Sequence, residues 1–178
     1  MTASYAPGTT ASCGPAEVDW HDEVRVDAAG PDDWADWRAL RLEALRDTPI
    51  GFVQTVEQAL VMDEAAWRRR LVDVPCSVLA RQHGRPVAMA SGAVVDGATY
   101  LIAVYVTPAA RGRGLLGRLV QGVAAWADGP LVLAVHQDNA RAITAYGRLG
   151  FVDTGQRRPY PLGPDRDEIV MARPAAPS

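Results

Sequence analysis

The segment VYVTPAARGRGLLGRLVQGVAAWA, residues 104–127, constrains the fold of this chain more than any other. An apolar, β-branched run stops at Thr107-Pro108, and Gly112, Gly114 and Gly117 then lead into apolar residues at helical spacing. A strand must therefore pass to a helix through a glycine turn. Glycine admits backbone conformations closed to other residues and lets a ligand approach the main chain. The first-turn N–H groups of a helix lack intrahelical partners, and the helix dipole adds partial positive charge there. Such a helix end suits a phosphate or pyrophosphate, and Arg111 and Arg113 bring further charge.

The flanking pattern sets the architecture. Asp96-Gly97 and His83-Gly84 each separate two apolar, strand-like runs, and an Asp-Gly pair in that setting signals a type I′ hairpin turn. Strands over 78–81, 85–95 and 98–106 should form an antiparallel meander. Downstream the rhythm predicts a helix over 112–127, a strand over 131–136 and a helix over 139–149. Two closing strands, about 151–156 and 168–173, then flank a loop that holds Pro159, Pro161, Gly163 and Pro164. Upstream, a short strand over 23–28 precedes Gly30-Pro31-Asp32-Asp33, which has the early proline and first-turn acids of a helix start. Trp34, Trp37, Leu40, Ala44 and Leu45 recur at helical spacing until Thr48-Pro49-Ile50-Gly51 breaks the pattern. A second helix or pair of turns covers 54–72, with Asp63 as a cap inside it. Meander, then β-α-β-α, then hairpin describes an α+β domain with a mixed sheet. Residues 22–175 read as one domain, and residues 1–21, rich in Thr, Ser, Ala, Gly and Pro, as a flexible leader.

Composition removes several functions. At 178 residues with 48% hydrophobic side chains, the chain can build a real core. A net charge of −3 argues against a dedicated nucleic-acid binder. All 18 basic residues are arginines, which excludes Schiff-base chemistry and the lysine-dependent P-loop. Cys13 and Cys76 form no CxxC pair, so neither a metal site nor a disulfide framework is expected. No apolar run approaches the roughly 18–20 residues that span a bilayer, and no signal-peptide pattern is seen. The expectation is a cytoplasmic protein with no membrane partner.

Two other meanings of the glycine turn stay open on residues alone. Gly112-Arg113-Gly114-Leu115-Leu116-Gly117 is literally GxGxxG, the dinucleotide fingerprint, and Asp138 stands where a ribose-binding acid would. Against this, Thr107 to Arg111 intervene between strand and glycine, and too little chain remains for several βαβ units. A glycine-rich helix start without any ligand is the other.

The order strand, Val106-Thr107-Pro108, then Arg111-Gly112-Arg113-Gly114-Leu115-Leu116 opening a helix resembles motif A of the GCN5-related N-acetyltransferases, the GNAT family. A second block, LVLAVHQDNARAITAYGRLGF over 131–151, is similar to that family's motif B, with Asn139, Ala142, Tyr146 and Gly150-Phe151 in place. The resemblance covers about residues 23–173. It implies a mostly antiparallel central sheet flanked by helices, splayed between two parallel strands where acetyl-coenzyme A binds. It also implies that backbone groups of Val104, Tyr105 and Val106 pair with the pantetheine arm. The loop and helix start from Arg111 through Gly112, Arg113, Gly114, Leu115, Leu116 and Gly117 would hold the pyrophosphate. Asn139 and Ala142 would flank the cofactor, and Tyr146 would point at its sulfur. Asn139, Ala142 and Tyr146 stand at i, i+3 and i+7, hence on one helix face. Leu116 departs from the pattern, which prefers glycine or alanine there.

The implied activity is acetyl transfer from acetyl-coenzyme A to a primary amine by direct attack, with no metal. Tyr146 would act as general acid toward the thiolate. Family members that acetylate ribosomal-protein N-termini carry a glutamate base on the strand where this chain has Ala134, so that role does not carry over. Glu57, His136 and Asp138 are the base candidates, beside a water chain; imidazole suits proton transfer near neutral pH. The acceptor, a small-molecule or peptide amine, should lie between the early helices and the 156–166 loop, with Phe52, Val53 and Tyr160 as walls. A catalytically silent acetyl-coenzyme-A-binding sensor or docking module is the alternative, and a homodimer is an allowed assembly.

Overall fold

A computed structural model describes residues 24–127 and 129–174; the expected leader and Cys13 lie outside them. Among the described residues, seven strands form one sheet in the order β1-β2-β3-β4-β5-β7-β6. They are β1 Val24–Ala28, β2 Cys76–Gln82, β3 Arg85–Val95, β4 Ala98–Val106, β5 Leu131–His136, β6 Val152–Tyr160 and β7 Gly163–Arg173. Every neighbouring pair is antiparallel except β4 with β5. The α+β class and mostly antiparallel mixed sheet expected from the sequence are therefore present. One parallel pair is not the doubly wound sheet that a dinucleotide fingerprint requires, so the GxGxxG reading is set aside.

Both expected hairpin turns are built as the sequence requires. His83 and Gly84 have φ of 49° and 75°, and Asp96 and Gly97 have φ of 51° and 78°, the paired positive values of a type I′ turn.

Among the described residues, five α-helices cover the two faces: α1 Trp34–Asp47, α2 Val56–Leu60, α3 Glu64–Asp73, α4 Leu115–Trp126 and α5 Ala140–Arg148. The helix or pair of turns expected over 54–72 is two helices. Asp63 separates them by accepting the Ala66 N–H at 2.8 Å, which starts α3 afresh. On one face, Leu119, Val120 and Val123 of α4 pack with Leu101, Leu131, Leu133 and Val135. Close approach is possible because β3 carries Gly92, where a Cβ would stand 2.7 Å from Val123 Cγ1. On the other face Trp37, Leu40, Trp67 and Phe52 pack over Leu79, Met89 and Tyr105. Trp37 and Trp67 are at most 1% exposed, so this second layer is a true core.

The closing segment differs most from expectation. The proline-containing loop is a continuous hairpin whose strands meet at Pro161-Leu162. Its prolines are tolerated for a topological reason. β6 is an edge strand, and β5 pairs with β7 only from Glu168 onward, so Pro164 lies where the ribbon is two-stranded. Among the described residues no helix is long and apolar enough to cross a membrane.

Candidate active site

The parallel strands β4 and β5 are paired only at Thr99–Leu131 and Tyr100–Val132. Beyond that they diverge, because β4 carries an extra residue against β3 between Ile102 and Tyr105, where Ala103 takes a φ of 54°. Tyr105 and Val106 still pair with Met89 and Ala88 of β3, so this end of β4 offers its other edge, unpaired, to the opening. A cleft of about 530 Å³ occupies the splay.

The glycine turn forms one end of the cleft. Gly114 is the N-cap of α4 with φ 74°, and Gly112 has φ 75°; neither is a conformation that other residues adopt easily. A Cβ at either position would meet nothing within 4 Å, so the space above both is open. The first intrahelical bond runs from Arg118 N–H to the Gly114 carbonyl at 3.3 Å, leaving the N–H groups of 115–117 ahead of it. Thr55, Asp63 and Asn139 cap α2, α3 and α5 with their side chains, whereas α4 has no side-chain cap. Its donors thus face the cleft.

Of the residues expected to bind the cofactor, all line this cleft except Arg113. Arg111 lines it, but its Nε–H donates to the Val106 carbonyl at 3.1 Å and its Nη2 pairs with Asp47. It therefore ties the free end of β4 to the end of α1, and the Asp47 carboxyl is held below its usual range, first by that bond. Leu116 lines the cleft while packing against the α4-side core. Asn139 is 9% exposed and spends Oδ1 on the Ala142 N–H at 3.2 Å, which leaves its amide nitrogen as a donor. Arg141 donates to Thr48 Oγ1 at 3.1 Å, and both residues line the cleft although sequence reasoning missed them.

Tyr146 stands on the α5 wall with its ring edge-on to Phe151, centroids 5.6 Å apart. Phe151 is 2% exposed, so it is a rigid backstop. Burial pushes the Tyr146 phenol well above its ordinary pKa, so it stays protonated at neutral pH.

The three base candidates are not brought together. Glu57 is exposed on α2 and does not line the cleft; its carboxyl is lowered by its own backbone N–H and then Thr55. Asp138 lies outside the lining as well, 3.5 Å from Arg166. His136 lines the cleft and is 5% exposed, but Nδ1 accepts the Asp138 N–H at 3.1 Å. In the neutral ring this puts the hydrogen on Nε2, so no lone pair faces the opening. Glu168 was not singled out from sequence and lines the same cleft. Only the β5–β7 register, which sets it opposite His136, brings it to the cleft.

Phe52 lines the cleft, and Arg41 lies over its ring at 4.5 Å with Nε bonded to Gln54. Burial, then Arg70, lowers the Arg41 pKa to about 9, which still leaves it charged at neutral pH. Tyr160 is buried behind this wall and does not line the cleft. Its hydroxyl donates to the Phe52 carbonyl at 2.8 Å, and its ring meets His136 edge-on at 4.7 Å. Val53 is 52% exposed and lies off the cleft. Because Tyr160→Phe leaves that buried carbonyl without its partner, it is expected to lower stability by about 1–2 kcal/mol. Urea unfolding measures this, and an unchanged midpoint would rule out a structural role for the bond.

A sheet opened between two parallel strands, with an uncapped glycine helix start and a half-buried tyrosine lining one cleft, defines an acetyltransferase fold. The chain belongs to the GNAT family: the model described as "Acetyltransferase (GNAT) family" matches residues 34–151. No curated protein matches it in sequence. Solved structures agree in fold. The acetyltransferase of GNAT family from Streptococcus pneumoniae is 18% identical, with TM-score 0.71 over 86% of this chain and 100% of that one. yncA from Salmonella typhimurium, solved with its cofactor acetyl-CoA, is 22% identical, with TM-score 0.65 over 87% and 95%. The ribosomal-protein-S18-alanine N-acetyltransferase from Escherichia coli is 21% identical, with TM-score 0.63 over 87% and 96%.

Proposed function

We propose that the protein transfers the acetyl group of acetyl-coenzyme A to a primary amine by direct attack in a ternary complex. The observation that carries this is the α4 N-terminus, stripped of a side-chain cap and open above Gly112 and Gly114, in one cleft with Tyr146. yncA, whose fold this chain shares, was solved with acetyl-CoA as its cofactor. The residues fit such a ligand: N–H donors and Arg111, Arg141 and Arg148 suit phosphates, and the unpaired edge of Val104–Val106 suits an amide-bearing arm. When bound, acetyl-coenzyme A supplies the thioester. The chain's own groups do the rest. Backbone N–H near Val106 stabilises the developing oxyanion, and Tyr146, kept protonated by burial, gives its proton to the departing thiolate.

The test has two parts. Coenzyme A at about 100 times its dissociation constant is expected to stabilise the fold by about 2.7 kcal/mol, while NAD does not. Acetyl-coenzyme A with spermidine, kanamycin or an alanine-initiated peptide is then expected to release free thiol. A shift with NAD and none with coenzyme A would overturn the cofactor. Binding without thiol release for any amine would instead favour the silent module, the reading that Ala134 supports.

A further inference from the structure

We propose that Glu168 is the catalytic base that takes the proton from the acceptor's ammonium group. This rests on the acetyl-transfer reading above and names the residue that reading lacks. Among the described residues lining the cleft, Glu168 is the one carboxylate. Of the three lining arginines, Arg111 pairs with Asp47, Arg141 donates to Thr48 Oγ1 and Arg148 stands in the last turn of α5. Glu168 stands directly across from His136 on β5 and from Arg158 on β6. Residues paired across strands share a face. Leu133 and Val135 point into the α4 side, so the row His136, Glu168, Arg158 lies on the other face, where Tyr160 reaches Phe52. An amine entering past Phe52 meets this face.

The carboxylate is also free to act. Among the described residues no hydrogen bond or ion pair reaches it, whereas Asp47 is tied to Arg111, Asp138 to Arg166 and His136 Nδ1 to a backbone N–H. Arg158, its nearest cation in register, donates to the Tyr100 hydroxyl instead. The charged and titratable groups facing Glu168 are His136 from β5 and Arg158 and Tyr160 from β6. Burial raises its carboxyl above the usual range, and Arg158 and then His136 only partly oppose this. A carboxyl moved upward is a better proton acceptor near neutral pH.

Protons and bonds balance. An alkyl ammonium with a pKa near about 10.4 leaves about one molecule in 2,500 neutral at pH 7. Glu168 accepts one proton and frees the nitrogen lone pair. The N–C bond forms, the C–S bond breaks, and Tyr146 protonates the sulfur. The surplus proton on the new amide nitrogen restores the phenol, and Glu168 releases its own to solvent.

The test compares wild type with Glu168→Gln, which keeps the shape and loses the basic oxygen. The acceptors are spermidine and hydroxylamine, the latter largely neutral at pH 7. With spermidine, kcat/KM is expected to fall at least about 100-fold at pH 7. The variant's rate should then climb about tenfold per pH unit toward the acceptor's own pKa, where wild type has a plateau. With hydroxylamine the two proteins should be nearly equal, and the coenzyme A thermal shift should be unchanged, which shows that the variant is folded and loaded. Equal loss with both acceptors, or parallel pH profiles, would overturn the base role while acetyl transfer stands. Wild type that releases thiol with none of spermidine, kanamycin, the alanine-initiated peptide and hydroxylamine would overturn acetyl transfer and this proposal together.

Discussion

Gly114→Glu is expected to weaken coenzyme A binding by at least about 100-fold, or about 2.8 kcal/mol at about 1.4 kcal/mol per decade. Two effects combine at this position, and a second variant separates them. Gly114 has φ 74°, so any side chain costs about 1–2 kcal/mol of backbone strain. Gly114→Ala carries that cost alone, since its Cβ would meet nothing within 4 Å. It should lower the melting temperature yet bind coenzyme A within about tenfold of wild type. The glutamate adds a carboxylate at the N-cap of a helix that has none. The dipole favours it there, so it occupies the position proposed for phosphate and repels a second anion. Calorimetric titration of coenzyme A into all three proteins, with melting curves beside it, gives the answer. If the glutamate variant binds as the alanine variant does, the α4 N-terminus is not the phosphate site.

The α4 end was legible because its signals are local. Proline stop, positive-φ glycines and helical spacing lie within a few residues, and the structure places the helix start at Leu115 behind the Gly114 cap. The Asp96-Gly97 hairpin is legible for the same reason. Each turn type demands its own residues whatever packs against it.

The closing hairpin was not legible, because what permits its prolines is a position in the sheet. Pro159 is acceptable on an edge strand and Pro164 beyond the reach of β5, and neither fact exists before the strand order is known. Glu168 was missed for the same reason. Its placement depends on the β5–β7 register that sets it opposite His136. The base candidates show the converse limit. His136, Asp138 and Glu57 have suitable chemistry, but a backbone N–H, Arg166 and plain exposure decide what each can do. Residue type can be read along the chain; the availability of a lone pair depends on neighbours brought from elsewhere.

Tyr146→Phe is expected to reduce turnover by about 10²–10⁴-fold, which is about 3–5 kcal/mol of barrier, with little change in coenzyme A affinity. The substitution removes the hydroxyl alone. The ring keeps its edge-on contact with Phe151 at 5.6 Å, so α5 and the cleft wall should not move. Burial raises the phenol's pKa, which at first sight weakens it as an acid. The thiolate that leaves beside it loses solvation in the same cleft and becomes a stronger base, so the match between donor and acceptor survives. Water can also protonate a thiolate, which places the expected loss toward the lower end of the range. Steady-state thiol release against the best amine gives kcat, and titration of coenzyme A gives affinity. A fall in kcat at constant affinity supports the acid role. Unchanged kcat would remove Tyr146 from the chemistry, and a parallel loss of affinity would make it a binding residue. Glu168→Gln supplies the contrast. Its loss should shrink as pH rises and the amine deprotonates unaided, whereas the Tyr146→Phe loss should grow or hold, because protons for the thiolate become scarcer.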